Sequence, residues 1–328
     1  MRLRDVGVVV IGRNEGRRLE ACLASVVNNA AVVVYVDSGS TDNSLATARA
    51  LGVEVVELDT ASGFTAARAR NAGLERTLGL APELHYLQFV DGDCEVVSGW
   101  LATAAEYLVA NPKVVALFGR RRETRPRASV YNALCDLEWA VAPGPARHFG
   151  GDVMLRRAPL VAVGGYRADL IAGEEPELSV RLRQRGWLIH SLASEMTRHD
   201  ANITEFRQWW LRMKRAGYAY AAGAGLHGSP PERHWVAESR RAWLWCLGPL
   251  VLAMALAPFF GVRALGVIIV YPLQVLRLFV KGTGSVRERA LRAVFYTLAR
   301  FPEFSGQVRY VCERFGSRSA KLIEYKQP

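Results

Sequence analysis

Four short apolar-rich runs recur in the first ninety or so residues, and between them apolar side chains return every three or four positions. The runs are VGVVVIG (6–12), AVVVYVD (31–37), VEVVEL (53–58) and HYLQFVD (85–91). A strand buried on both faces reads as a continuous apolar run, because neither face meets water. After the first run, Leu19, Cys22, Leu23 and Val26 fall at helical spacing. After the second, SGSTDNS turns the chain, and Ser40 or Thr41 is placed to cap a helix carrying Leu45, Ala48 and Leu51. TAARARNAGLERTLG (65–79) supplies a third helix. This alternation predicts a doubly wound, Rossmann-like α/β sheet, whose ligands gather beyond the carboxyl ends of its strands.

Two of the predicted strands end on an acid: Asp37 closes the second and Asp91 the fourth. In LQFVDGDCEV (87–96), Asp91 and Asp93 flank Gly92. Carboxylates so close together suit a hard divalent cation with oxygen ligands, Mg2+ or Mn2+. An Asp-Gly turn that simply closes a strand is the other reading of the same residues.

At 328 residues the chain can hold one large domain or two modest ones. Its five cysteines are scattered without a CxxC, which argues against a disulfide framework or zinc site and for a reducing compartment. The start, MRLRDVGVVVIGRNEG, lacks the long apolar core of a signal peptide and reads as the start of the mature protein. The net charge of +11 is uneven: residues 241–328 hold 13 Lys+Arg against 4 Asp+Glu. That excess surrounds AWLWCLGPLVLAMALAPFFGV (242–262), 21 residues without a charge, and a second apolar run, 264–280, interrupted only by Arg277. The first run matches the ~20 residues that cross a bilayer. The pair reads as a transmembrane or interfacial hairpin, or as a buried helical pair. Arg240, Arg241 and Lys281 at its ends would hold both ends in the cytoplasm. Positive charge beside apolar runs, not on an aromatic-studded polar face, argues against a nucleic-acid partner.

Taken in order, VVVIGRNEGRRLEACLASV, VVYVDSGSTDNS, ARARNAGL, LQFVDGDCEV, FGGDVMLRRAPLVAVGGY and GEEPELSVRLRQRGW resemble the family 2 glycosyltransferases over about residues 5–215. The resemblance implies a GT-A fold and inverting transfer from a nucleotide-diphosphate sugar, a UDP-sugar being favoured, with Mn2+ or Mg2+. By position it implies donor contacts from Arg13, Asn14, Glu15, Asp37, Arg70 and Asp91. Relatives often carry a second acid after Asp37, and here Ser38 stands there. Asp91, Asp93 and His199 match metal ligands. Glu175 matches the base that an inverting transfer needs to deprotonate the acceptor, although the family usually has Asp there. The glutamates at 174, 175 and 177, with Pro176 in the first turn, also suit a helix N-terminus. Gly151, Asp152, Glu174, Trp209, Trp210 and Arg212 fall on the acceptor side. The absence of QxxRW, a mark of processive synthases, implies a single transfer.

The segment GRRRETRPR (119–127) is expected to be a mobile loop near the acceptor, its arginines suited to an anionic group or simply solvated. The expected organisation is a catalytic domain over 1–235, an apolar helical hairpin over 236–282 and a basic amphipathic tail over 283–328. Such a chain would act on a lipid-linked or glycan acceptor, its catalytic domain on the cytoplasmic face of a bacterial inner membrane. The alternative is a catalytically silent GT-A-like subunit that holds a nucleotide sugar in a membrane complex.

Overall fold

The computed structural model describes residues 3–59, 61, 63–316 and 323–324. In chain order its elements are β1 (Leu3–Gly12), α1 (Arg17–Val26), β2 (Ala30–Asp37), α2 (Ser44–Ala50), β3 (Glu54–Glu57), α3 (Ala66–Leu80), β4 (Tyr86–Asp91), β5 (Cys94–Val96), α4 (Trp100–Ala110) and β6 (Val114–Glu123). There follow α5 (Val130–Glu138), β7 (Gly144–Ala146), β8 (Val153–Arg156), α6 (Arg157–Ala162), α7 (Glu174–Gln184), β9 (Leu188–His199) and α8 (Phe206–His227). The last helices are α9 (Val236–Phe260), α10 (Val270–Lys281), α11 (Val286–Leu298) and α12 (Arg300–Phe315), with a 3-10 turn, Gly261–Ile269, between α9 and α10. The chain divides into two compact units, one of Met1–Ala128 with Glu138–Asn202, the other of Ser129–Leu137 with Ile203–Gln327.

The first unit is built on a sheet of order β3-β2-β1-β4-β8-β6-β9-β5, with β7 paired to β9. Its first four strands are parallel and are the four expected from the apolar runs. Val8, Val9, Val34, Val36, Leu87 and Phe89 are fully buried, each contributing about 1.5–3 kcal/mol by leaving water. The other half is mixed: β8 runs antiparallel to β4 and β6, while β9 is parallel to β6 and antiparallel to β5.

Register positions the strand ends. Gly12 pairs with Asp37 and Ile11 with Asp91, so β2, β1 and β4 finish at one edge. The antiparallel pairing of Phe89 with Val153 brings residues 151 and 152 beside Asp91. Pairing of Cys94 with His199 sets the end of β9 against the turn that holds Asp93. Arg120–Arg122, expected in a mobile loop, lie instead in β6, where Arg121 pairs with Thr197. The apolar run VVALF (114–118) commits that segment to a strand, and the arginines extend it.

In the second unit α8 packs on α12 through glycines. A Cβ at Gly217 would collide with the backbone of Glu303, and one at Gly306 with the backbone of Lys214. This contact draws α8 and the tail into one body, unlike the expected boundary at 235. Glu303 and Gln307 of α12 are buried. Tyr271 Oη donates to the Trp245 carbonyl at 2.9 Å, which brings the start of α10 back to the first half of α9. Among the described residues, Val236–Lys281 is the one helical stretch long and apolar enough to cross a membrane, with a mean hydropathy of 2.1 over an 18-residue window. Leu250, Val251, Met254, Phe259 and Val262 are exposed along it.

Candidate active site

The edge at which β1, β2 and β4 end carries a dense set of charges. Arg70, on α3, is buried, and its guanidinium meets three carboxylates: Asp91 Oδ1 at 2.9 Å, Glu174 Oε1 at 3.0 Å and Glu175 Oε1 at 3.0 Å. The five N–H groups of a guanidinium allow one side chain to tie the end of β4 to the start of α7. Gly151 makes the arrangement possible, since a Cβ there would overlap the Asp91 carboxylate and the Arg70 guanidinium. Asp152, also buried, accepts the Asp91 backbone N–H at 3.0 Å and the Thr197 hydroxyl at 2.7 Å. Arg121 completes the group, with Nη2 at 2.8 Å from Asp152 Oδ2 and 3.2 Å from Asp91 Oδ2.

Next to this group, His199 Nε2 lies 3.1 Å from Asp93 Oδ2, with Cys94 beside them. Burial, and then the charge of Arg121, lower the His199 pKa to about 4, so the ring is neutral and the contact is a hydrogen bond instead of an ion pair. His199 Nδ1 is buried without a hydrogen-bond partner, and the Trp139 ring stands edge-on at 4.7 Å. Burial raises the Cys94 thiol well above its ordinary value and keeps it protonated. A carboxylate with a neutral imidazole suits Mn2+ or Mg2+; a protonated thiol adds little to either. Asp91, expected in the same set, falls in a second cluster with Cys94 and Asp152.

On α7 the residues 174–177 do sit at the helix N-terminus, in its first turn, preceded by Gly173 in the left-handed region. Burial first, and then the neighbouring Glu174 charge, raise the Glu175 pKa to about 7 against the opposing charge of Arg70. A carboxylate poised near neutrality can both accept and release a proton at working pH. Glu174 is buried, with Oε2 lacking a hydrogen-bond partner.

The residues expected around the nucleotide lie in the loops after β1 and β2. Arg13 stacks over Phe64 at 4.6 Å. Asn14, with φ of 56°, donates its backbone N–H to Ser40 Oγ, and its Oδ1 accepts the Thr41 N–H, which joins the two loops. Glu15 pairs with Arg18 at 2.8 Å. Asp37 accepts the Tyr35 hydroxyl at 2.8 Å and the N–H groups of Gly39 and Ser40 at 3.0 and 2.8 Å. Its carboxylate therefore shapes its own turn. Trp209, Trp210 and Arg212 belong to the second unit. There Trp209 is enclosed by Tyr131, Phe206 and Phe295, which makes it a core residue of that unit and not an exposed face for an acceptor.

Sequence reasoning missed Thr197, had Arg121 only among the arginines of an expected mobile loop, and placed Asp152 only on the acceptor side. The available signal was the run VVALFGRRRE (114–123): a strand continued through it turns Arg121 to the face opposite Arg120 and Arg122.

Residues 7–151 match the family described as Glycosyl transferase family 2. A TPR repeat-containing protein of Synechococcus elongatus is 27% identical over 136 residues, 41% of this chain, and the chain spans about a third (32%) of that protein's length. Among solved structures, the mannosyltransferase PcManGT of Pyrobaculum calidifontis, in complex with GDP-Man and Mn2+, is similar at a TM-score of 0.65 and 20% identity, covering 96% of this chain and 88% of that one. S. aureus TarS 1-349 is similar at 0.50 and 16% identity, covering 96% and 92%. The likeness to both is one of fold, and the mixed sheet with its helical C-terminal region is the GT-A arrangement.

Proposed function

We propose that this chain, whose residues 7–151 match Glycosyl transferase family 2, performs metal-dependent, inverting transfer from a nucleoside-diphosphate sugar to a lipid-linked acceptor at a membrane. The observation that carries the reading is the convergence of Asp93 with His199, and of Arg70 with Asp91 and Glu175, at one edge of the sheet.

Asp93 and His199 would hold a divalent cation, Mn2+ or Mg2+, which offsets the charge that develops on a diphosphate leaving group. Their donor set fits it: one carboxylate and one neutral imidazole, 3.1 Å apart. The loops of Arg13, Asn14 and Glu15 and of Asp37 border the nucleoside, and Asp91 lies on the donor side of the same edge. Glu175, once ionised, takes the proton of the acceptor hydroxyl or phosphate as that oxygen attacks. Arg70 orients it through the 3.0 Å contact and keeps part of its charge compensated. Arg70 is thus read as a positioning residue, since its Nη1 and Nη2 meet three carboxylates.

The membrane part of the reading is supported by the exposed apolar hairpin of α9 and α10 and by the basic residues at its ends. Arg240, Arg241 and Lys281 favour a cytoplasmic placement of both ends. That the PcManGT structure holds GDP-Man widens the donor panel beyond the UDP-sugars that the resemblance favours.

The test is turnover of UDP-, GDP- and TDP-sugars by detergent-purified protein with polyprenyl phosphates as acceptors, the product's anomeric configuration being read by NMR. An inverted glycolipid from one donor supports the proposal. A retained configuration, or a donor turned over only without a lipid product, would overturn it.

A further inference from the structure

Two clusters of metal-ligating side chains lie side by side and share Cys94: Asp93–Cys94–His199 and Asp91–Cys94–Asp152. By composition the second is the more attractive to a divalent cation, since it offers two carboxylates and the first only one. Its carboxylate oxygens, however, already have donors. Asp91 Oδ1 takes Arg70 at 2.9 Å, and Asp91 Oδ2 takes Arg121 at 3.2 Å. Asp152 Oδ2 takes Arg121 at 2.8 Å and Thr197 Oγ1 at 2.7 Å, while Asp152 Oδ1 accepts the Asp91 backbone N–H at 3.0 Å.

We propose that Arg121 is a built-in counter-cation that closes the Asp91–Asp152 cluster to divalent metal and so confines the metal to Asp93 and His199. The inference rests on the metal reading above and gives Arg121 a role that the sequence had not assigned to it. Arg121 is placed for the task by the fold. β6 delivers it opposite Thr197, and its guanidinium stacks over the Trp139 ring at 5.5 Å, which fixes its plane toward the two acids. One nitrogen, Nη2, meets both carboxylates, 2.8 Å from Asp152 Oδ2 and 3.2 Å from Asp91 Oδ2. A metal entering the cluster would have to expel a guanidinium that is itself largely buried, stranding that charge. Arg121 thereby decides which of two adjacent acid sets a cation occupies. It is a positioning residue and leaves the transfer step to other groups.

The experiment counts ions. Full-length protein in detergent is dialysed to equilibrium against Mn2+, and bound metal per chain is measured for wild type, Arg121→Met and Arg121→Lys, with thermal melting to confirm folding. The inference predicts one more Mn2+ per chain in Arg121→Met than in wild type, and an intermediate or wild-type count in Arg121→Lys. Equal counts in wild type and Arg121→Met would overturn it. The wild-type count is a separate readout: if it is zero, the metal reading of the proposed function fails, while an extra ion in Arg121→Met still upholds the role of Arg121. Should Arg121→Met not fold, Asp152→Asn replaces it. That variant is expected to bind Mn2+ with wild-type stoichiometry and affinity, and a tenfold weaker affinity would contradict the confinement of metal to Asp93 and His199.

Discussion

Glu175 keeps its proton to about pH 7, because a carboxylate removed from water and set beside Glu174 is costly to ionise, and Arg70 offsets only part of that cost. The sign of two effects follows. In its proposed role as base Glu175 would work only when ionised, so kcat should rise with pH through about 7 and then level. For stability the direction is opposite. The folded state holds a proton that the unfolded chain releases above its ordinary 4.5, so this contribution is full below pH 4.5 and is lost as pH rises through about 7. Replacing Arg70 by Met removes the one charge that lowers this pKa, and the rising limb of the rate profile should move to higher pH. An unmoved limb would show that the profile belongs to another group. Glu175→Gln should retain donor binding by calorimetry and lose ~10²–10⁴-fold in transfer rate.

At the scale of elements, the parallel half of the sheet was readable because strands buried on both faces leave continuous apolar runs. Those runs also showed where Asp37 and Asp91 would stand, at strand ends. The mixed half was not readable in the same way. β8 is four residues long, and β9 carries LIHSLASEMTRH, which has no unbroken apolar run. Asp152, Thr197 and Arg121 come from this half and entered the site through hydrogen bonds between residues 30 to 61 apart in the chain, not through any local motif. The α8–α12 contact was hidden for a related reason: it depends on two glycines, Gly217 and Gly306, whose meaning appears only when the helices are brought together. Gly306→Leu should destabilise the second unit by ~1–3 kcal/mol, as overpacking does. A melting temperature equal to wild type would show that these helices do not meet so closely.

For the whole molecule, the chain joins a GT-A unit to a helical unit that exposes a long apolar hairpin. Exposure of Leu250, Val251, Met254, Phe259 and Val262 would be a liability in water and is ordinary in lipid. Membrane attachment through this hairpin should survive 1 M salt, which screens charge to about 3 Å but does not weaken apolar burial. Release of the chain from membranes by salt alone would instead assign attachment to the basic residues of the C-terminal region. The metal and base assignments are independent of that outcome, since both lie within the first unit.

The most direct test of metal-dependent transfer is the release of nucleoside diphosphate from the preferred donor with and without Mn2+, comparing wild type with Asp93→Ala. The account predicts release that requires Mn2+ in wild type and falls ~10²-fold or more in Asp93→Ala, with the melting temperature little changed. Undiminished release from Asp93→Ala, or wild-type release indifferent to chelation of the metal, would contradict it.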